Sequence, residues 1–180
     1  MKKLLILPLI AMLSACVTTP KGLEKNEFTI QSMKQIEAED YACKCKQIRL
    51  GGKVIAATAL KTQTRVEVMS LPVASYSAKP LMEADSDGRF VAYLNGFVDP
   101  ADLKNQYITV SGTLKGKEKG SIDQAEYDYP VIQVKAYKRW HLAEAYRYDD
   151  WDYGWGPWGG MWGPWGSRWY HRPSVIYYLY

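Results

Sequence analysis

The chain is poor in the residues that carry most identifiable chemistry. Its 180 residues include three cysteines and two histidines, His141 and His171. Three cysteines exclude a disulfide-stapled miniprotein. No Gly-x-Ser-x-Gly elbow, His-Glu-x-x-His pair or phosphate-binding glycine loop is present, and nothing in the spacing of Ser, His and Asp assigns them roles. The sequence gives no catalytic residues, and the expectation is a protein that is not an enzyme. Charge of one sign is also scarce. Lys and Arg number 23 against 19 Asp and Glu, a formal +4, too little to suggest a nucleic-acid partner. With 47% hydrophobic residues the chain is not a disordered polymer.

The apolar run at the start is short. Met1-Lys2-Lys3 is a cationic head, and Leu4 to Leu13 is an apolar stretch of ten residues. At 1.5 Å per residue it falls well short of about 30 Å of hydrocarbon. It reads as a signal peptide, to be left out of the fold. Its end, Leu13-Ser14-Ala15-Cys16, looks like a bacterial lipobox. Cys16 is then the acylated N-terminal residue of the mature chain, and the covalent lipid is the only cofactor expected. Val17 stands where an Asp would retain such a protein at the inner membrane, which favours the outer one. No later segment reaches 18 apolar residues, so no other spanning helix is expected.

Three regions follow. Residues 17–40 carry three Lys and five acids, and begin Thr18-Thr19-Pro20-Lys21-Gly22. They read as a tether that then orders itself, with Ile30, Met33 and Ile36 at helical spacing. Residues 41–142 show period-two alternation at Val66 and Val68, at Arg89 to Leu94, at Ile108 and Val110, and at Ile132, Val134 and Ala136. Turn signals separate these runs: Asp85-Ser86-Asp87-Gly88, Asn95-Gly96, Asp99-Pro100, Lys115-Gly116 and Lys119-Gly120. Gly51-Gly52 suggests a bulge or sharp coil in a long first strand. Five or six short strands without a strong amphipathic helix indicate a small antiparallel barrel or sandwich.

The last region, residues 143–180, is the least ordinary. All seven Trp lie between Trp140 and Trp169. Trp155-Gly156-Pro157-Trp158-Gly159 recurs as Trp162-Gly163-Pro164-Trp165-Gly166. Glycine and proline at this density oppose a helix. Trp151, Trp155, Trp158, Trp162, Trp165 and Trp169 leave three roles open. They belong to a mobile low-complexity segment, lie at a membrane interface, or stack on sugars or a partner protein. The closing Val175 to Tyr180 reads as a short terminal strand.

Cys43-Lys44-Cys45 is the thiol pair left after lipidation. A disulfide or a soft-metal site is open to it, although structural zinc needs four ligands and no second cysteine pair exists. Two residues apart on a strand, the Cα atoms lie near the outer limit of disulfide geometry. Asp85-Ser86-Asp87-Gly88 resembles the start of a calcium loop, but Arg89 holds the next ligand position and the segment reads as a turn. No metal site is therefore assigned. The basic excess of residues 41–142 reads as a solvated surface, near anionic lipid or polysaccharide, and not as a nucleic-acid face.

Six segments in register resemble the Slp family of outer-membrane lipoproteins. They are Arg49-Leu50-Gly51-Gly52 with Val54-Ile55, Leu71-Pro72, Gly88-Arg89-Phe90-Val91-Ala92, Gly96-Phe97-Val98-Asp99-Pro100, Thr109-Val110-Ser111-Gly112-Thr113-Leu114 and Tyr129-Pro130-Val131-Ile132. Leu50 replaces a family Trp, and Lys53 is an added residue. The resemblance implies an OB-like barrel, an envelope location and a stress or stationary-phase setting, and it brings no catalytic residues with it. The expected organisation is a signal peptide (1–15), lipidated Cys16 and tether (16–40), an all-β OB-like barrel (41–142) and a Trp/Gly/Tyr-rich tail (143–180). The expected partners are outer-membrane lipid through the acyl chains, with peptidoglycan, glycan or envelope proteins as further candidates, and the oligomeric state is open. The expected function is placement and binding at the outer membrane. The alternative is a periplasmic-side small-ligand or metal-binding module centred on Cys43 and Cys45.

Overall fold

A computed structural model describes residues 19–38, 46–147 and 174–180. The chain divides after Trp140 into two compact units. The first is a closed five-stranded barrel in the order β1-β2-β3-β5-β4, with β4 returning to β1. Its strands are β1 (Gln47–Ala59), β2 (Gln63–Leu71), β3 (Arg89–Asn95), β4 (Tyr107–Ile122) and β5 (Ala125–Trp140). All neighbours are antiparallel except β3 and β5, which pair in parallel at Val91–Val131 and Ala92–Ile132. This is the OB-like architecture expected from the resemblance.

The period-two runs supply the core. Ile48, Leu50, Val54, Val66, Val68, Phe90, Leu94, Ile108, Val110, Leu114, Ile132 and Val134 all point inward and are buried. Alternate positions stay outside, as β2 shows: Arg65, Glu67 and Met69 are half-buried while Val66 and Val68 are fully enclosed. The barrel closes because β1 is shared. Residues Gly51 to Lys53 pair with β2 on one side and β4 on the other. At Gly52 the strands approach so closely that a Cβ would lie 1.9 Å from the Met69 carbonyl oxygen. At Gly112 of β4 it would lie 2.0 Å from that of Gln133. At these close approaches only glycine fits.

Two expectations shift. The bulge in β1 falls between Val54 and Ala56, beyond the Gly-Gly pair, through which the pairing with β2 stays in register. Lys115-Gly116 and Lys119-Gly120 are not turns. Both lie inside β4, where a register shift between Leu114 and Gly116 lets the strand run on to Ile122. The reversal comes at Asp123, whose φ of 52° is the left-handed value a tight turn needs. β4 and β5 therefore form one 16-residue-a-side hairpin whose outer half extends past the pairing of β4 with β1.

Both ends of the barrel are plugged. Helix α1 (Met33–Ala38) delivers Met33 and Ile36 to the core, joined by Ile30, which bridges to Ile48 of β1. Six residues are too few for an independent helix, so burial holds it. Helix α2 (Pro100–Leu103) starts at Asp99, whose carboxylate accepts from the Ala101 amide at 2.8 Å, and buries Leu103. The segment expected as tether is thus integral to the barrel from Leu23, whose side chain is 1% exposed.

The second unit contains an antiparallel pair, β6 (Leu142–Arg147) and β7 (Ser174–Leu179). The expected terminal strand is β7. His141 and Tyr180 exchange both backbone hydrogen bonds at 3.1 Å, and Arg147 stands opposite Ser174.

Candidate functional site

The barrel interior is not a binding cavity: apolar side chains fill it from α1 to α2. Candidate sites therefore lie on the outer faces.

The outer face of β2 and β3 is where OB-type barrels take oligonucleotides and oligosaccharides. Here it is occupied by its own ion pairs. Arg65 meets Glu118 at 2.9 Å, and Arg89 meets Glu67 at 2.9 Å. Two tyrosines complete the ladder. Tyr93 donates to Glu118 Oε2 at 2.7 Å, and the Tyr129 hydroxyl lies 3.3 Å from Glu67 Oε1 and 3.1 Å from the Ser121 carbonyl. Burial and then the adjacent carboxylates push both phenols above their ordinary value. Hydrogen bonding to Glu67 pushes the Arg89 guanidinium up as well. The two arginines and two glutamates cancel one another in charge. On the outer half of the β4–β5 hairpin, Lys119, Gly120, Glu126, Tyr127 and Asp128 line an open groove of about 550 Å³.

The outer faces of β1 and β4 are covered by two loops. The N-terminal strap crosses them, tied by Ser111 Oγ donating to the Gly22 carbonyl at 2.6 Å. Beside it Arg49, 1% exposed, donates to the Leu23 carbonyl at 2.9 Å and to Gln31 Oε1 at 3.1 Å. Burial lowers the Arg49 pKa from its ordinary value. Its acceptors are uncharged, so the arginine works as a strut between strap and barrel. The second cover is the loop after β2, a small hairpin in which Val73 pairs with Pro80. Thr109 donates to its Ala78 carbonyl at 2.6 Å and accepts from Trp140 Nε1 at 3.0 Å. The Lys79 and Lys138 ammonium groups stand 5.6 and 5.5 Å from the Trp140 ring. The two covers meet where Thr19 Oγ1 donates to the Tyr76 carbonyl.

The residues singled out in the sequence fall mostly elsewhere. Cys16, Cys43, Cys45 and the tail tryptophans Trp151, Trp155, Trp158, Trp162, Trp165 and Trp169 lie outside the described residues, as does His171. Among the described residues no three His, Cys, Asp or Glu side chains group as metal ligands. Asp85-Ser86-Asp87-Gly88 is a turn: Ser86 Oγ bonds the Gly88 backbone, and Asp87 Oδ2 accepts from the Met33 amide at 3.0 Å. Arg49 and the ladder were missed. The one sequence signal for the ladder was the alternation Arg65, Glu67 on β2 facing Arg89 on β3.

The family model for the outer membrane lipoprotein Slp family matches residues 13–173. The chain belongs to the Slp family. The matched stretch begins inside the lipobox and includes the Trp/Gly segment. An uncharacterised protein of Haemophilus influenzae is 51% identical over 171 residues, 93% of this chain and 91% of its own length. Outer membrane protein Slp of Escherichia coli K12 is 36% identical over 159 residues, 86% and 84% of the two chains. The uncharacterised lipoprotein YeaY of the same organism is 36% identical over 149 residues, 79% and 77%. No solved structure matches the chain. As a Slp-family member the protein is an outer-membrane lipoprotein, and its β-barrel is a small closed one with a packed core.

Proposed function

We propose that this Slp-family lipoprotein is a non-catalytic envelope component, held by acylated Cys16, that acts in stress or stationary phase by placement and surface binding. The observation that carries the binding part is the β6–β7 pair. Residues 148–173 leave it at Arg147 and return at Ser174, which stand opposite each other. The sequence between those two residues carries six of the seven Trp. The β6–β7 pair is itself aromatic and exposed: Tyr146, Tyr177, Tyr178 and Tyr180 are 47–61% accessible. Such an array suits a headgroup layer, a glycan or an envelope protein. A lipid anchor and a second weak contact reinforce each other through effective concentration. The filled barrel favours a surface role over a cavity one.

The test uses residues 17–180 and a variant with Trp155, Trp158, Trp162 and Trp165 replaced by Ser, which keeps β6 and β7. Both are co-sedimented with phospholipid vesicles and with peptidoglycan. Sedimentation of the parent with either, largely lost in the variant, is the expected result and names the partner class. Equal sedimentation of the two removes the aromatic segment from the function.

A further inference from the structure

The strap reaches the anchor after very little chain. Thr19 is already bonded to Tyr76, and Leu23 is buried. Only Val17 and Thr18 separate Thr19 from Cys16. Whatever their conformation, three residue steps span at most about 11 Å. The polar headgroup layer on one side of a bilayer is about 5–7 Å deep. An acyl chain on Cys16 therefore leaves the barrel no room to stand away from the membrane, and the surface around Thr19 has to meet it.

That surface has suitable chemistry. Tyr76 sits at the tip of the Val73–Pro80 hairpin, 84% exposed, the most open large side chain among the described hydrophobics. Lys21 is exposed two residues along the strap from Thr19. Lys79 and the exposed Lys138 flank Trp140, on the same patch that the Ala78–Thr109–Trp140 bonds hold together. The strap lies against it too, since a Cβ on Gly22 would come 3.0 Å from that of Ala136. A projecting tyrosine among three lysines matches the interfacial layer of an anionic phospholipid surface.

We infer that the barrel docks directly on anionic phospholipid through this patch, with Tyr76 in the headgroup layer and Lys21, Lys79 and Lys138 facing the phosphates. The inference rests on the acylation of Cys16. The tip of the β4–β5 hairpin belongs to the other end of the barrel. Trp140 pairs with Tyr107 at the start of β4, and Ile122 pairs with Ala125 at its end. That distance is on the order of 50 Å along an extended strand. The hairpin tip is therefore separate from the docked patch.

Amide hydrogen exchange on the acylated full chain in phosphatidylethanolamine/phosphatidylglycerol vesicles tests this. The comparison protein carries a Gly/Ser insertion of about twenty residues between Thr18 and Thr19, long enough to free the barrel. Exchange over residues 20–23 and 74–79 is expected to be about tenfold slower in the parent than in the insertion protein, with residues 117–128 alike in both. Equal exchange in both proteins overturns the docking. Slowing that strengthens with protein-to-lipid ratio assigns the patch to a second copy and overturns it as well. Equal slowing when phosphatidylcholine replaces phosphatidylglycerol overturns the anionic assignment. The mass of the N-terminal peptide separates the two ideas. An unmodified Cys16 ends the anchoring reading and the inference together, whereas an acylated Cys16 with an unprotected patch ends the inference alone.

Discussion

Single residues hold this barrel by geometry that neither hydropathy nor charge counts reveal. Arg49 is buried without a carboxylate partner among the described residues, and its guanidinium joins β1 to the strap at Leu23 and Gln31. Arg49→Leu is expected to cost about 1–3 kcal/mol in denaturant unfolding, because it leaves the buried Leu23 carbonyl without its donor. Gly52→Ala or Gly112→Ala should cost about 2–4 kcal/mol or prevent folding, since the new methyl would strike backbone that cannot move aside. The tyrosine ladder makes a pH prediction. Tyr93 and Tyr129 have phenols raised by folding, so above pH about 10 the native state binds more protons than the unfolded one. Their contribution is complete at neutral pH and is lost as pH rises through the folded values. Stability measured by urea unfolding is expected to fall as pH rises above about 10. The slope should be shallower in the Tyr93→Phe, Tyr129→Phe double variant; an unchanged slope would remove the ladder as its source. The sequence showed the glycines as a coil signal and Arg49 only as part of a motif. What each touches comes from β2, β5 and the strap, which are distant in sequence.

At the scale of elements, legibility followed periodicity. β2, β3, and the alternating parts of β4 and β5 were readable because a half-buried strand repeats every two residues. The outer half of the β4–β5 hairpin was not. Lys115-Gly116 and Lys119-Gly120 have turn composition, yet pairing with β5 through Lys117–Pro130 and Gly120–Tyr127 overrides it. Helix α1 reads weakly because its apolar positions are few, and its stability is tertiary. Ile36→Ala is therefore expected to cost about 2–4 kcal/mol, as much as a central strand residue, although the helix has six residues. Asp87→Ala, which removes the acceptor for the Met33 amide, should cost about 1 kcal/mol. If calorimetry shows both to be neutral, α1 is an appendage and not a plug.

For the whole molecule, every residue of the barrel's apolar cluster lies between Ile30 and Val134. A chain ending at Trp140 is accordingly expected to keep the barrel's thermal transition within about 3 °C. A loss of cooperative unfolding would show that β6 and β7 belong to the barrel's stability. The sequence by itself determined the address, the all-β class and the family. A cationic head, a short apolar run and a lipobox are local patterns, and so is strand alternation. Family likeness follows from residues in order along the chain. Only the tertiary structure decided that the supposed tether is part of the barrel and that the candidate oligonucleotide face is filled by its own ion pairs. It also tied Thr19, three residues after Cys16 in the chain, to the Tyr76 carbonyl. Each of these depends on contacts between segments tens of residues apart, such as Ser111 with Gly22 and Glu118 with Arg65. Chain closure creates those contacts, and no local pattern encodes them.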